Sequence, residues 1–175
     1  MPDSNLIIIV GQEGSGKSTT VRALLETTPS AARIDAEDVG AVNPWKMDDA
    51  YIDLLHANVA ALTSNFWEAG YRTVIAASFL SNYTRYEHFM TRLDHPADVY
   101  VIHLCAAKRV RDVRRIERAK PSSQEWRDMV DLADPEDSTL GQHASDYRYT
   151  RIDNGDLTVA ETVAMIRRAL PEVYG

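Results

Sequence analysis

Five apolar residues without a break, Leu6-Ile7-Ile8-Ile9-Val10, lead straight into Gly11-Gln12-Glu13-Gly14-Ser15-Gly16-Lys17-Ser18. An unbroken run of this kind marks a strand covered on both faces, as at the centre of a parallel sheet, because a strand with one wet face alternates. The segment that follows has the form G-x-x-x-x-G-K-[ST] and opens a helical stretch at residues 19–26. In that order, the glycines let successive backbone N–H groups curve round a phosphate without Cβ clashes, and the helix N-terminus adds about half a positive charge. Gly11, Gly14, Ser15, Gly16 and Thr19 are therefore candidate nucleotide contacts. Lys17 would reach the β- and γ-phosphates, and the Ser18 hydroxyl would ligate Mg²⁺.

Further apolar runs occupy residues 32–34, 73–77 and 99–104, with a weaker one at 149–152, and the gaps leave room for helices. Within residues 48–69, Tyr51, Ile52, Leu55, Val59, Leu62 and Phe66 recur every three or four positions, and Gly70 stands where a C-terminal cap belongs. Thr158 and Glu161 have the spacing of a reciprocal capping box ahead of Val163, Ile166 and Leu170, and Pro171 ends that helix. Ser122 and Glu125 repeat the signal after Pro121. Strands and helices alternating at these intervals predict a mostly parallel, doubly wound α/β sheet. With 175 residues the chain suits one domain, residues 1–175. Cys105 has no second cysteine to pair with, and no segment reads as a signal peptide or as a membrane span of roughly 20 residues. The reading is a cytoplasmic protein, monomeric or homodimeric, with no membrane partner.

A nucleoside-triphosphate site leaves the fate of the γ-phosphate open. Hydrolases of this class place an acid at the end of a second apolar strand, whereas the third run here ends Ala76-Ala77-Ser78-Phe79-Leu80. A guanine-reading Asn-Lys-x-Asp segment is also missing. Carboxylates instead follow the second strand, in Asp35-Ala36-Glu37-Asp38. In a parallel sheet, residues just past the strand C-termini face the ligand crevice, which puts Asp35 and Glu37 beside the γ-phosphate. Asp35 there can accept the proton of an attacking hydroxyl or bind Mg²⁺ through water; the competing role is to cap the helix that follows.

The net charge of -7 argues against a broad polyanion surface and so against nucleic acid as partner. That average hides a segregation. Lys108, Arg109, Arg111, Arg114, Arg115, Arg118 and Lys120 give residues 108–120 a net charge of +5, leaving -12 for the rest. Arg111, Arg114, Arg115 and Arg118 share one helix face, and Ala106, Val110 and Val113 lie opposite, so the apolar face is expected to pack and the arginines to meet a triphosphate. The competing role is pairing with the acidic stretch Glu125, Asp128, Asp131, Asp134, Glu136 and Asp137. The five histidines show no metal-ligand spacing, and His103 inside an apolar strand reads as a core residue.

The octet from Gly11 to Ser18, Asp35-Ala-Glu37 after the second strand, and the Arg114/Arg118 pair before a polar insertion together resemble the P-loop kinases of the nucleotide- and shikimate-kinase superfamily. The small-metabolite and antibiotic kinases, such as chloramphenicol phosphotransferase, shikimate kinase and gluconate kinase, are the nearest in pattern. The resemblance spans nearly the whole chain. It implies a five-stranded parallel sheet in order 2-3-1-4-5, ATP and Mg²⁺ as cofactors, and a mobile lid at about residues 114–146. It also implies catalytic roles for Lys17, Asp35, Arg114 and Arg118, and a metal site at Ser18 and Asp35. Asp153 and Asn154 match the turn that lies against adenine in that superfamily. The acceptor pocket of those kinases corresponds here to Asp35, Glu37, Trp45, Ser78, Phe79, Asn82, Tyr83 and Arg85, with Asn43, Pro44, Tyr51 and Tyr86 nearby. Aromatic walls with Ser, Asn and Tyr donors suit a ring-bearing polyol or nucleoside-like acceptor. Relatives often carry Asp-x-Asp where this chain has Asp35-Ala-Glu37.

The expectation is transfer of the γ-phosphate of ATP to a hydroxyl of a small metabolite, antibiotic or nucleoside-like molecule. A nucleotide or modified-nucleotide kinase is the alternative, and an ATP-binding regulatory module without phosphotransfer a further one. Between the second and fourth strands only Arg72, Arg85 and Arg92 are available to grip an acceptor phosphate, which disfavours a monophosphate acceptor.

Overall fold

The apolar run becomes β1 (Asn5–Val10), with Leu6 to Ile9 wholly shielded from solvent. In the computed structural model, which describes residues 4–118, 122–136 and 139–175, β1 lies at the centre of the sheet. Lys120, Pro121 and Asp137 fall outside the described residues, as does part of the 114–146 segment. On one side β1 pairs with β3 (Thr73–Ala77), which pairs with β2 (Ala31–Asp35); on the other it pairs with β4 (Asp98–Cys105), which pairs with β5 (Arg148–Asp153). All four pairings are parallel, and the order is β2-β3-β1-β4-β5. Successive β1 side chains point to opposite faces, so both faces carry a core. Leu6, Ile8 and Val10 pack with Val59 of α3 (Asp49–Glu68) and with Tyr86 and Phe89 of α4 (Tyr83–Met90). Ile7 and Ile9 pack with Val21 and Leu24 of α1 (Lys17–Thr27) and with Val163 and Ile166 of α8 (Val159–Ala169). Each such aliphatic side chain contributes about 1.5–3 kcal/mol by leaving water.

Helix ends follow the local signals closely. Asp48 caps α3, and Gly70 just beyond it has φ of 92°. Thr158 and Glu161 form the full capping box of α8. The helix after Pro121 starts one residue later than its signal, as α6 (Gln124–Ala133) with Ser123 at the cap, while the carbonyl of Ser122 is bonded by Arg127. Four short helices carry too few periodic positions to read from sequence: α2 (Ala36–Val39), α7 (Thr139–Gln142), α9 (Pro171–Tyr174), and α4 itself, which has eight residues.

The arginine helix α5 (Lys108–Ile116) is oriented opposite to expectation. Arg111 and Arg115 are 5% and 1% exposed, whereas Val113 and Ile116 are each 52% exposed. The cause is Asp131 of α6, whose carboxylate lies 2.7 Å from Arg111 and 2.6 Å from Arg115. Asp112 and Glu13 complete the enclosure of Arg115. Pairing with the acidic stretch thus occurs, but the pairs are buried rather than solvated. A periodicity argument assigns charge to water because it cannot see a counter-charge supplied from another helix.

Candidate active site

The phosphate loop joins β1 to α1, and its three glycines all have positive φ: 140° at Gly11, 82° at Gly14 and 98° at Gly16. Two of them also face backbone at close range. A Cβ on Gly11 would stand 2.3 Å from the Leu104 carbonyl, and one on Gly14 would stand 2.8 Å from that of Arg111. The loop's own carbonyls are drawn outward. That of Glu13 accepts from Arg115 at 2.8 Å and from Arg111 at 3.2 Å, and that of Ser15 accepts from Asn154 Nδ2 at 2.8 Å and from Arg114 at 3.3 Å. Turning these two oxygens away favours N–H groups on the concave side, the arrangement that receives an anion. The Ser15 hydroxyl is buried with no hydrogen-bond partner among the described residues. An orphaned donor beside a cradle that no Cβ fills fits a phosphate chain with its Mg²⁺.

Lys17 folds over this cradle and donates to the carbonyls of Gly11 at 2.6 Å and Gln12 at 3.2 Å. Burial lowers its pKa, and the nearby charges of Asp134, Glu37 and Glu13 oppose that shift. Burial raises the pKa of Asp134, and Lys17 works against that rise. Asp134 ends α6, and its carbonyl accepts from Gln12 Nε2 at 2.9 Å. The acidic end of the 122–136 segment therefore lies against the phosphate loop.

Beside the loop is a cleft of 280 Å³ that brings together Gly14, Gly16, Thr19, Arg114 and Asn154, nucleotide candidates by sequence, and Arg118, a catalytic candidate, with Leu157, Val159 and Thr162 as its less polar wall. Arg114 spans the cleft, donating to the Asn154 carbonyl at 2.8 Å as well as to Ser15. Arg118 is half-exposed and pairs with Glu13 at 3.3 Å. Asp153 sits at the same turn, where its carboxylate accepts from the Gly155 amide at 3.0 Å. Ser18 follows Lys17 in the first turn of α1.

Where the acceptor is expected from the sequence, Asp35 ends β2 in register with Ala77 of β3, which is itself in register with Ile9 of β1. The carboxylate is 6% exposed and caps α2, accepting from the Glu37 amide at 3.3 Å. The capping role considered for Asp35 is therefore present, and it is filled one strand from β3 and two from β1, which leads into the loop. Trp45 is 59% exposed and meets the Tyr51 ring edge-on. Asn82 caps α4 by accepting from the Arg85 amide at 2.9 Å, and Arg85 pairs with Asp49 at 2.5 Å. Tyr83 bonds Asp146 through its hydroxyl and stacks on His143. That hydrogen bond pushes the phenol up to about 12. The structure places Phe79 in the core, 7% exposed between His56 and Phe89, so it does not offer a pocket wall. Its immediate neighbour Ser78 does remain at the sheet edge.

Glu13, Gln12, Asp131 and Asp134 also shape the site, and sequence reasoning did not assign them to it. Gln12 and Glu13 occupy variable positions of the loop pattern, which carry no signal. Asp131 and Asp134 belong to the acidic stretch whose charge complements α5, the one signal that could have found them. His103 is buried, with Nδ1 2.8 Å from the Tyr149 hydroxyl. His103, Cys105 and Glu136 bring three possible metal ligands within 4.8 Å of one another. Glu136 is engaged by Arg151 at 2.7 Å and by the Cys105 thiol at 3.3 Å, so the group closes on itself as a hydrogen-bonded cluster. Burial and Glu136 push the thiol up to about 12, which leaves it protonated and unreactive.

The sheet order and the loop define a P-loop α/β fold. The chain belongs to the AAA domain family, a family of P-loop kinases, whose pattern matches residues 6–135. Among solved structures, a sugar kinase from Janibacter sp. HTCC2649 superposes with a TM-score of 0.73 at 16% identity, covering 99% of this chain and 97% of that one. A gluconokinase from Sinorhizobium meliloti 1021 gives 0.71 at 14% identity, with 99% and 95% covered. The tunicamycin resistance protein of Deinococcus radiodurans gives 0.61 at 19% identity, with 97% and 95% covered. At such identities the likeness is one of fold. No curated protein matches the sequence. Among the described residues no helix is long and apolar enough to cross a membrane.

Proposed function

We propose that the protein transfers the γ-phosphate of ATP, with Mg²⁺, to a hydroxyl of a small molecule. The observation that carries this reading is the register of the sheet: the phosphate loop, Ser78 and Asp35 follow three adjacent strands at one edge, and the carboxylate directly at a strand end, that of Asp35, stands at the end of β2 rather than at the end of β3. That is where a base for an alcohol is needed. Lys17 and the loop amides would hold the phosphate chain, and Arg114 the nucleotide across the cleft. Ser18 and Asp35 would hold the metal, directly and through water, and Mg²⁺ bound there would supply charge neutralisation for the phosphate chain. Asp35 would take the acceptor's proton as the new P–O bond forms, while Trp45, Tyr83 and Arg85 orient the acceptor. The apolar Trp45, Met47 and Val42, each exposed on the acceptor side, favour a ring-bearing acceptor over a phosphate-bearing one.

ADP release measured against a panel of sugars, polyols, aminocyclitols, nucleosides and nucleoside monophosphates tests the proposal. Turnover with an alcohol and not with monophosphates supports it. Preference for a monophosphate would make the protein a nucleotide kinase, and nucleotide binding without transfer to any member would make it a regulatory module.

A further inference from the structure

The chain that leaves α6 is tied down across the phosphate loop. Its first anchor is Asp131, fixed between Arg111 and Arg115. The second is the Asp134 carbonyl, which accepts from Gln12 Nε2 at 2.9 Å, and the third is Glu136, held by Arg151 at 2.7 Å and by the Cys105 thiol at 3.3 Å. Between Gly11 and Gln12 on one side, Leu80 and Ser81 on another, and Asp134 to Glu136 on the third, the space left is 30 Å³. That is room for about two waters. Gly11 and Gln12 are also the residues whose carbonyls hold Lys17 Nζ, so the crossing chain narrows the place where the lysine of such a loop meets the last phosphate.

Three carboxylates bear on the Lys17 ammonium, those of Asp134, Glu37 and Glu13, and they differ in what else balances them. Glu13 pairs with Arg115 and Arg118, and Glu37 is exposed to solvent. Asp134 is half-buried, and the strongest opposite charge acting on it is Lys17 itself. A triphosphate would claim that ammonium and set its own charge against a carboxylate left without a counter-ion. We propose that Asp134 is a self-inhibitory contact: its carboxylate competes with the γ-phosphoryl group for Lys17, and the chain from Asp134 to Glu136 must lift away before a triphosphate seats fully. A diphosphate ends one group short and leaves that chain in place. This rests on the nucleotide-binding part of the function proposed above, and it makes Asp134 a determinant of triphosphate against diphosphate affinity. Asp131 is the hinge, because its arginine partners are buried, whereas the Glu136–Arg151 pair is about half exposed and holds weakly.

The test compares ADP with the non-hydrolysable β,γ-imido analogue of ATP, each with Mg²⁺, binding to wild type, Asp134→Asn and Asp128→Asn by calorimetry. Asp134→Asn keeps the side-chain shape and the carbonyl that Gln12 binds, so it should melt close to wild type. It should bind the imido analogue about fivefold tighter or more, with ADP changed by less than about twofold. Asp128→Asn removes the same charge from the exposed side of α6 and should alter neither affinity. Hydrogen exchange in wild type, which needs no variant, should quicken at residues 130–136 with the imido analogue and stay as it is with ADP. Unchanged or weaker binding of the imido analogue by Asp134→Asn overturns the inference, the weaker case pointing to a carboxylate that helps to hold the metal. An equal gain for both nucleotides, a matching gain in Asp128→Asn, or unchanged or slower exchange at 130–136 with the imido analogue also overturns it. Wild-type protein that binds neither nucleotide would sink the functional proposal itself, whereas the other failures leave nucleotide binding intact.

Discussion

The two halves of the crevice are built to different standards. On the nucleotide side the phosphate loop is held from three directions: Arg111 and Arg115 of α5 bind the Glu13 carbonyl, Arg114 and Asn154 bind that of Ser15, and Asp131 locks the two buried arginines in place. On the acceptor side, Trp45, Met47 and Val42 are 59%, 62% and 39% exposed, and the visible ties are surface pairs such as Arg85 with Asp49. A charged polyphosphate needs donors fixed before it arrives, because ordering them on binding would consume affinity. A small, partly apolar acceptor can instead be recognised by covering exposed side chains, which requires no prior ordering. Under the proposed function, the more heavily bonded half of the crevice is the one that would meet the group common to every turnover.

The largest blow to this asymmetry should come from Asp131→Ala, which leaves Arg111 and Arg115 buried without their shared counter-charge. A loss of about 3–5 kcal/mol is expected, seen in thermal denaturation as a fall of roughly 10 °C. The same residue predicts an acid limb. Burial alone would raise the Asp131 pKa, but the hydrogen bonds and charges of Arg115 and Arg111 outweigh it and hold the carboxyl well below its ordinary 3.8. With the folded value depressed, the stabilisation is complete above the unfolded value and is lost as pH falls from there toward the folded one. Thermal melts from pH 6 down to about pH 2 should show a steeper decline for wild type than for the variant.

Next in size is Asp35→Asn on the acceptor side. Asparagine caps a helix as well as aspartate does, so α2 should survive. Turnover should drop by about 10²-fold or more while ATP affinity, measured by calorimetry, stays close to wild type. Unchanged turnover would remove Asp35 from the chemistry and leave it a cap. Trp45→Ala should be milder: an exposed ring can be lost with little change in melting temperature, yet the KM for the acceptor should rise about tenfold if the ring is a wall. The smallest effect should be Asp49→Ala, where loss of a surface ion pair costs about 0.2–1 kcal/mol and less in high salt. A melting shift there as large as that of Asp131→Ala would mean the acceptor side is as tightly built as the nucleotide side, and the contrast would fail.

Much of the fold was legible because its signals are local. The apolar run of β1, the glycines of the loop and the Thr158–Glu161 box act through neighbours a few residues away, and each lies where its pattern puts it. The candidate site was legible in its nucleotide half for the same reason, since Gly14, Gly16, Thr19, Arg114, Arg118 and Asn154 do share one cleft. Phe79 could not be separated from its neighbour Ser78 by sequence, because which of two adjacent side chains points inward at a turn depends on the backbone torsion there. The strained φ of Ser78 and its orphaned hydroxyl have no sequence signature at all.

What the amino-acid sequence determined by itself is therefore the five strands and the longer helices in their order along the chain, the phosphate loop and the carboxylate after β2, all set by periodicity and short-range backbone chemistry. What only the tertiary structure decided is which face of α5 is buried. Its arginine face goes inward and Val113 and Ile116 go outward, because Asp131, Asp112 and Glu13 converge on Arg115 from three different segments. A charged face is buried only when counter-charges are delivered to it, and that delivery depends on the return path of α6 across the sheet edge, which no local pattern encodes.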